Sequence, residues 1–136
     1  MDNVSIGEVY FVRFEGIEHE QQGRRPAVVF QNNLGNKHSP NVIVLPMTSA
    51  RKKKRQPTHV PVSAEESGLP VDSTVLCESP ATVSKSRLET YVTTLPAEIM
   101  RQIAIGSILS TAAGAFLEPE DVPMVVDLSR RFNSAG

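Results

Sequence analysis

The sequence has few cysteines and few aromatic residues, and these shortages exclude several classes of protein. Cys77 is the only cysteine among 136 residues, so no disulfide can form within the chain, and a lone thiol is typical of a reducing cytoplasm. Its neighbours Val75 and Leu76 favour a small apolar side chain that is buried in a strand. With no Trp, two Tyr and five Phe, stacking of bases on aromatic side chains is not expected to dominate any contact with nucleic acid.

Membrane spans and metal-binding patterns are also missing from the sequence. No apolar run reaches the length that crosses a bilayer, and residues 1–5 lack the basic and apolar segments of a secretion signal. The histidines His19, His38 and His59 have no Cys or carboxylate at metal-ligand spacing. We therefore expect a cytoplasmic protein with no membrane partner, no metal ion and no other cofactor.

Acidic residues are absent from one long stretch, residues 21–64, although the chain has 15 of them and a net charge of -1. That stretch contains eight of the 14 Lys and Arg residues, which are Arg24, Arg25, Lys37, Arg51, Lys52, Lys53, Lys54 and Arg55. Local potential steers a polyanion more than net charge does. One face of the protein is therefore expected to be positive and to attract nucleic acid.

Short β-branched and aromatic segments separated by turn residues predict a mainly β fold, a small barrel with one helix packed on it. The expected strands are residues 7–14, 26–31, 41–47, 58–62, 72–78 and 90–94. Residues 15–24 have no apolar periodicity and are expected to form an exposed, mobile loop. Residues 32–36 are expected to form a turn, and residues 63–68 one helical turn that ends at Gly68.

The C-terminal part of the chain is expected to be helical. Pro96 suits the first turn of a helix, with Thr94 as a candidate N-cap. The apolar stripe of this helix consists of Ile99, Met100, Ile103, Ala104, Ile108 and Leu109. Residues 118–121 open a second predicted helix in the tail. We divide the chain into a barrel domain, residues 1–113, and a C-terminal extension of unknown structure, residues 114–136.

Two arginines stand at the expected entrance of the second strand. Pro26 fixes its own φ and drives Arg25 towards an extended conformation, so Arg24 and Arg25 are expected where a loop becomes a strand. A charge held there can be aimed at a ligand. The alternative is a pair of solvated residues before a strand.

Short motifs follow one another in a fixed order from residue 6 to residue 113. They are Gly7-Glu8-Val9-Tyr10, Glu20-Gln21, Gly23-Arg24-Arg25-Pro26, Leu34-Gly35-Asn36, Pro46-Met47-Thr48-Ser49, Asp72-Ser73, Val75-Leu76-Cys77-Glu78 and Lys85-Ser86-Arg87-Leu88. This succession resembles the PemK/MazF toxins of bacterial toxin–antitoxin modules. The resemblance implies an SH3-like barrel of the CcdB/PemK type that forms a homodimer and cuts single-stranded RNA without a metal ion. It also implies products with 2′,3′-cyclic phosphate and 5′-hydroxyl ends, and a cognate antitoxin whose acidic segment occupies the RNA groove.

By the same resemblance, the catalytic arginine is Arg25 and the catalytic threonine is Thr48. In such a reaction the ribose 2′-hydroxyl attacks the neighbouring phosphorus, so the enzyme must stabilise negative charge on the phosphoryl oxygens. A guanidinium suits this role because its planar fork gives two hydrogen bonds to a phosphate. Its pKa above about 12 favours charge stabilisation over proton transfer. The proton acceptor stays open between Glu20, His38 and water.

Contacts to RNA are expected from residues around the catalytic pair. The candidate substrate-binding residues are Glu20, Gly23, Arg24, Arg51, Lys52, Lys53, Lys54, Arg55, Glu78 and Ser79. One segment departs from the family, because Ser79-Pro80-Ala81 stands where these toxins commonly have Gln-Ile-Arg. The departure removes a long amide and a cation and adds a proline, which cannot donate to a strand ladder. Base recognition is the property that this change affects most.

Two other functions stay open at this point. A barrel that has lost cleavage through the change at residues 79–81 would still bind nucleic acid or an antitoxin, and RNA retention without new RNA ends would favour it. Related barrels also include toxins that poison a protein such as DNA gyrase, which is an analogy of fold alone.

Overall fold

The structure is a computed structural model that describes residues 3–49 and 56–134. The strands of this part are β1 (Glu8–Glu15), β2 (Gln22–Val29), β3 (Asn41–Thr48), β4 (His59–Val62), β5 (Ser73–Leu76), β6 (Ala81–Ser84) and β7 (Leu88–Thr94). Its helices are α1 (Asn33–His38), α2 (Ala64–Ser67), α3 (Ala97–Ser110), α4 (Ala113–Phe116) and α5 (Val122–Ser134). Short 3₁₀ turns at Lys85–Arg87 and Pro119–Asp121 lead into β7 and α5.

The strands form one antiparallel sheet whose hub is β3. Their order across the sheet is β4-β5-β3-β2-β1-β7, and β6 joins β3 beside this path. One edge of β3 pairs with β2, while the other pairs first with β6 and then with β5. The predicted mainly β barrel with helices at its C-terminal end is confirmed.

Apolar side chains cover both faces of this sheet, since the strands alternate their side chains with a period of two. One core lies under α3 and contains Val9, Val28, Leu45, Met47 and Val75. The core on the other face contains Val12, Ala27, Val29, Val42 and Val44. All ten side chains are at most 1% exposed. Each fully buried Val or Leu contributes roughly 1.5–3 kcal/mol, so these cores are the main source of stability.

Helix α3 rests on the barrel through a narrow stripe. Its buried residues are Ile99, Ile103 and Gly106. A Cβ at position 106 would stand 2.9 Å from the Sγ of Cys77, so only glycine lets the helix approach this closely. Cys77 lies directly after β5 and is buried as predicted. Its burial raises the pKa of the thiol to about 11, which keeps the thiol protonated at neutral pH.

Helices α4 and α5 form a C-terminal tail in which no residue is buried. The 3₁₀ turn before α5 is held by Asp121, whose Oδ2 accepts the backbone N–H of Glu118 at 2.9 Å and whose own N–H donates to the Glu118 carbonyl oxygen at 2.9 Å. Near its end, the Asn133 Oδ1 accepts the backbone N–H of Asn33 at 3.0 Å. The second helix that the sequence predicts is therefore present, and it continues to Ser134.

The predicted start of the second strand was wrong. β2 begins at Gln22 instead of Pro26, so Arg25 lies inside the strand and the preceding loop is shorter than expected. The cause is pairing with β1, in which Glu15 lies opposite Gln22 and Val12 lies opposite Arg25. This ladder overrides the low strand propensity of the polar segment.

Three further local predictions were wrong. The expected turn at residues 32–36 is largely helix α1, because the Asn32 side chain accepts the Gly35 N–H as an N-cap and Asn36 makes buried hydrogen bonds. Strand β6 was not predicted, and it exists because β3 offers it a free edge. Thr94 is the last residue of β7, and Pro96 is the N-cap of α3, without a side-chain hydrogen bond.

Candidate active site

The pairing of β2 with β3 brings Arg25 and Thr48 to the same place. The two strands are antiparallel, with Ala27 opposite Pro46. This is the last pair of the ladder, and Arg25 and Thr48, the last residue of β3, each lie two residues beyond it. Both side chains leave the same face of the sheet, since side-chain direction repeats every two residues. Both residues are half-buried, so they are shielded on one side and accessible on the other.

Arg25 and Thr48 line a cleft of about 430 Å³. Its polar lining consists of Gln22, Arg24, Arg25, Thr48, Ser49 and Ser73. Its apolar lining consists of Phe11, Pro26, Met47, Leu69, Pro70 and Val71. Among the described residues, the cleft has cations and hydroxyl groups but no carboxylate and no imidazole. Such a lining favours an anionic ligand.

The Arg25 guanidinium is oriented by its own strand. Its Nε donates to the carbonyl oxygen of Gln22 at 3.1 Å, which fixes the plane of the group and leaves the two terminal nitrogens as a fork. In residues 3–49 and 56–134, the arginines that form ion pairs are Arg13, Arg24, Arg87, Arg101 and Arg131. Arg25 is not one of them, so no described carboxylate neutralises its charge.

Gly23 sets the local path of β2 two residues before Arg25. Its φ of +79° lies in the left-handed region, which glycine adopts at little cost. A Cβ at this position would meet no atom within 4 Å. The glycine therefore serves a backbone conformation and not a close approach to a neighbouring strand.

Arg24 has a different environment from Arg25. Its Nε donates to Glu89 at 2.7 Å, and its guanidinium carbon lies 4.2 Å from the centre of the Phe11 ring. A terminal nitrogen also donates to the Thr90 hydroxyl at 3.4 Å. Arg13 shares the same carboxylate at 3.4 Å. The hydrogen bond from Arg24 is the main reason that the pKa of Glu89 lies below its ordinary value.

Two other candidate residues, Glu20 and Ser79, lie outside this cleft. They line a second cavity of about 710 Å³ between the β1–β2 loop and the segment that leads into β6. The Glu20 Oε1 accepts the backbone N–H of Ile17 at 2.9 Å, which holds the turn of that loop. Neither Glu20 nor His38, the last residue of α1, lines the cleft of Arg25 and Thr48.

Glu78 is engaged by a histidine. Its Oε2 lies 3.0 Å from the Nε2 of His59, the first residue of β4. The remaining candidates, Arg51, Lys52, Lys53, Lys54 and Arg55, fall outside the described residues. The described residues therefore bring Gly23, Arg24, Arg25 and Thr48 together and leave Glu20, Glu78 and Ser79 apart from them.

Sequence reasoning missed the apolar wall of the cleft and the partners of Arg24. Leu69, Pro70 and Val71 reach the cleft from the segment between α2 and β5, more than twenty residues beyond Thr48. Glu89 and Phe11 come from β7 and β1, the strands on the far side of Arg24. No local motif marks these residues, and only the strand order of the sheet brings them together.

Two general features of the described chain bear on its chemistry. No three His, Cys, Asp or Glu side chains in residues 3–49 and 56–134 cluster so that they could hold a metal ion. Likewise, none of the helices described there has both the length and the apolar character that a membrane span requires.

Comparison with known families and proteins gives close matches. A family model described as PemK-like, MazF-like toxin of type II toxin-antitoxin system matches residues 5–106. Endoribonuclease EndoA from Bacillus subtilis (strain 168) is 39% identical over 101 residues, which cover 74% of this chain and 87% of that protein. The family match includes the strands and the residues that line the cleft, and it ends before α5.

Solved structures with the same fold include two from Deinococcus radiodurans. MazF in crystal form I is 26% identical, with a TM-score of 0.65 over 79% of this chain and 97% of that one. The MazE-MazF crystal structure in form II is 26% identical, with a TM-score of 0.61 over 80% of this chain and 97% of that one. The barrel is thus shared with these structures along nearly their whole length.

Proposed function

Because the chain belongs to the PemK-like, MazF-like toxins of type II toxin–antitoxin systems and is an RNA-cleaving toxin, we propose that it cuts single-stranded RNA through Arg25 and Thr48 without a metal ion. One observation carries this proposal. One cleft that favours an anion is lined by Arg25, whose guanidinium has no carboxylate partner among the described residues, and by Thr48, which supplies a hydroxyl.

The proposed reaction is an internal transfer of the phosphoryl group. The ribose 2′-oxygen forms a bond to phosphorus, the bond from phosphorus to the 5′-oxygen breaks, and the products carry a 2′,3′-cyclic phosphate and a 5′-hydroxyl. The terminal nitrogens of Arg25 donate to two non-bridging oxygens, on which negative charge grows in the transition state. The Thr48 hydroxyl donates to a phosphoryl oxygen beside them.

Proton transfer is assigned to water in this proposal. The described lining of the cleft has no carboxylate or imidazole, and the two side-chain candidates, Glu20 and His38, lie outside it. Water accepts the proton of the 2′-hydroxyl, and water returns a proton to the 5′-oxygen as it leaves. Arg25 acts through its positive charge and takes no part in proton transfer, since a guanidinium stays charged in proteins.

The partners follow from the same surface. A type II toxin has a protein antitoxin, and we propose that an acidic segment of it competes with RNA for the acid-free stretch of residues 21–64. We also propose a homodimer in the cytoplasm, where RNA is available. Exposed apolar side chains on α3, namely Ile105, Ile108 and Leu109, support association with a second copy. A sedimentation experiment that finds only monomers would contradict the dimer.

The catalytic unit in this proposal is the barrel domain, residues 1–113, and residues 114–136 are an extension of it. Support comes from the family match, which ends at residue 106, and from α5, which has no buried side chain. The extension contributes no residue to the cleft lining in the described part of the chain.

Cleavage of a long RNA in EDTA, with its new ends mapped, tests the proposed function. Arg25→Ala should lower the cleavage rate by about 100-fold or more, as for a lost transition-state donor. Thr48→Val should lower it by roughly tenfold, because a neutral hydroxyl forms the weaker bond. Arg131→Ala, an exposed arginine on α5, is the matched control and should cleave normally.

Three results would contradict the proposal. They are intact RNA after incubation with the wild-type protein, cleavage that EDTA abolishes, and an Arg25→Ala variant that cleaves like the wild type. Salt-dependent retention of RNA without new ends would instead favour a barrel that binds and does not cut.

A further inference from the structure

The cleft has more apolar lining than an RNA backbone needs. Contacts to phosphate and sugar use cations, hydroxyls and backbone N–H groups. Here, the cleft that Arg25 lines also has an apolar surface formed by Phe11, Leu69, Pro70 and Val71. The volume of about 430 Å³ also lies within the range of small-molecule sites, about 300–1,000 Å³. A cleft of this composition suits a nucleotide with its base.

Arg24 has the geometry of a flat surface in this cleft. One face of its guanidinium covers the Phe11 ring, with 4.2 Å between the guanidinium carbon and the ring centre. Its edge is occupied by hydrogen bonds to Glu89 and Thr90. Yet 43% of the side-chain surface is still exposed. The ion pair with Glu89 and these edge contacts make Arg24 a poor phosphate ligand, whereas its plane is held ready for a ring.

We propose that Arg24 is a stacking surface for a nucleobase that flanks the cleaved bond, and that Glu89 is the positioning residue that holds its plane. This inference rests on the proposed function, because it assigns the same cleft a base as well as a phosphate. Arginine planes stack on splayed bases in single-stranded RNA, as aromatic rings do. In a chain with no Trp and only two Tyr, the Arg24–Phe11 pair supplies the platform that aromatic residues commonly provide.

The experiment compares RNA oligonucleotides that contain the mapped cleavage motif with the same oligonucleotides lacking one base. An abasic ribose replaces the nucleotide on the 5′ side or the 3′ side of the cleaved bond, in turn. For the wild type, one of the two substitutions should lower kcat/KM by about tenfold, which corresponds to the loss of one stacked base. We call this loss of kcat/KM the abasic penalty. For Arg24→Lys, which keeps the charge but loses the planar group, the abasic penalty should disappear.

Two more variants separate stacking from charge and from folding. Glu89→Gln removes the carboxylate that orients Arg24 and should reduce the abasic penalty without removing a cation. Arg101→Lys is the matched control, since Arg101 also has a carboxylate partner, Glu98 at 3.6 Å, but lies outside the cleft. It should keep the full penalty. A thermal unfolding scan of each variant confirms that it is folded.

The outcomes are distinct from those of the cleavage test. If the abasic penalty is equal in the wild type and in Arg24→Lys, or absent from the wild type at both positions, the stacking role of Arg24 is overturned. If the wild type does not cleave, the proposed function fails, and the same comparison is made by fluorescence anisotropy with varied single-stranded RNA. If the abasic RNA binds the wild type more weakly and Arg24→Lys removes this difference, the stacking role is supported. If the abasic RNA binds the wild type as tightly as the intact RNA, the stacking role is overturned.

Discussion

The barrel and the C-terminal tail contain the same kinds of apolar side chain and use them in opposite ways. Leu45 in β3 is 1% exposed, whereas Leu128 in α5 is 39% exposed. The apolar residues of α5, among them Val125 and Phe132, lie on one side of the helix, yet none is buried. The sequence therefore predicted a helix correctly at both α3 and α5, but not whether the helix would be covered.

This difference in burial shows which interactions stabilise the barrel and which stabilise the tail. The barrel depends on burial between strands that are distant in the sequence. A few polar contacts hold α5: the Asp121 cap on Glu118, the Asp127–Arg131 ion pair and the hydrogen bond of Asn133 to Asn33 of α1. Because isolated helices of this length are marginal in water, we expect α5 to open at a much lower free energy than the barrel.

The largest expected effect comes from truncating the two leucines. Leu45→Ala should lower the free energy of unfolding by about 2–5 kcal/mol, because it leaves a cavity in a closed core. Leu128→Ala should change the free energy of unfolding by less than about 0.5 kcal/mol, because the Leu128 side chain is already exposed to solvent. Urea unfolding, followed by circular dichroism, measures both. Similar losses in the two variants would show that α5 is packed as firmly as the barrel.

A smaller effect is expected at the seam between the barrel and α3. Gly106→Ala places a Cβ against the Cys77 Sγ and should cost about 1–3 kcal/mol, as overpacking of a core does. Gly114→Ala is the matched control in the tail, where the nearest side-chain atom would be 3.2 Å away, at the end of an exposed Ile108. It should cost much less in the same measurement, and a cost equal to that of Gly106→Ala would contradict a closely packed seam.

The smallest expected effect is the pH dependence of the Glu89 ion pairs. Arg24 holds the pKa of Glu89 below its ordinary value of 4.5, so this carboxylate stabilises the fold at higher pH and loses that contribution as pH falls through its folded pKa. The difference in unfolding midpoint between the wild type and Glu89→Gln should therefore be present at neutral pH and shrink below pH 4.5.

Asp127→Asn is the control for that measurement. It removes an exposed ion pair within α5 and should leave the unfolding midpoint of the barrel unchanged at every pH. A pH-independent difference for Glu89→Gln would mean that its charge has no part in the effect.

The sequence was sufficient to predict those strands whose local β propensity agrees with their place in the sheet. β1 is rich in Val and aromatic residues, and β3 is rich in Val, Ile and Leu. Both have turns at their ends and lie inside the sheet, so they were predicted closely. β6 was missed because its residues, Ala81–Ser84, have a weak pattern, and its place depends on a free edge of β3. The first half of β2 was missed for the same reason, since β1 imposes its extended form.

The candidate site divides in a similar way. Arg25 and Thr48 came from a family resemblance, and the β2–β3 register gives a physical reason for their proximity. The apolar wall and Glu89 come from segments that no motif connects to Arg25, so the sequence did not indicate them. Glu20 and Ser79 were grouped with the site by their place in the family motifs, but they line a different cavity.

The three partners of β3 also determine which changes in chain length the enzyme can tolerate during evolution. A slip of one residue would move Thr48 to the opposite face, away from Arg25. Such a slip must break the pairs with β2, β5 and β6 together, so it cannot happen at one edge alone. Insertions and deletions are therefore confined to the connections between strands, and the alignment of the two proposed catalytic residues is inherited as part of the barrel itself.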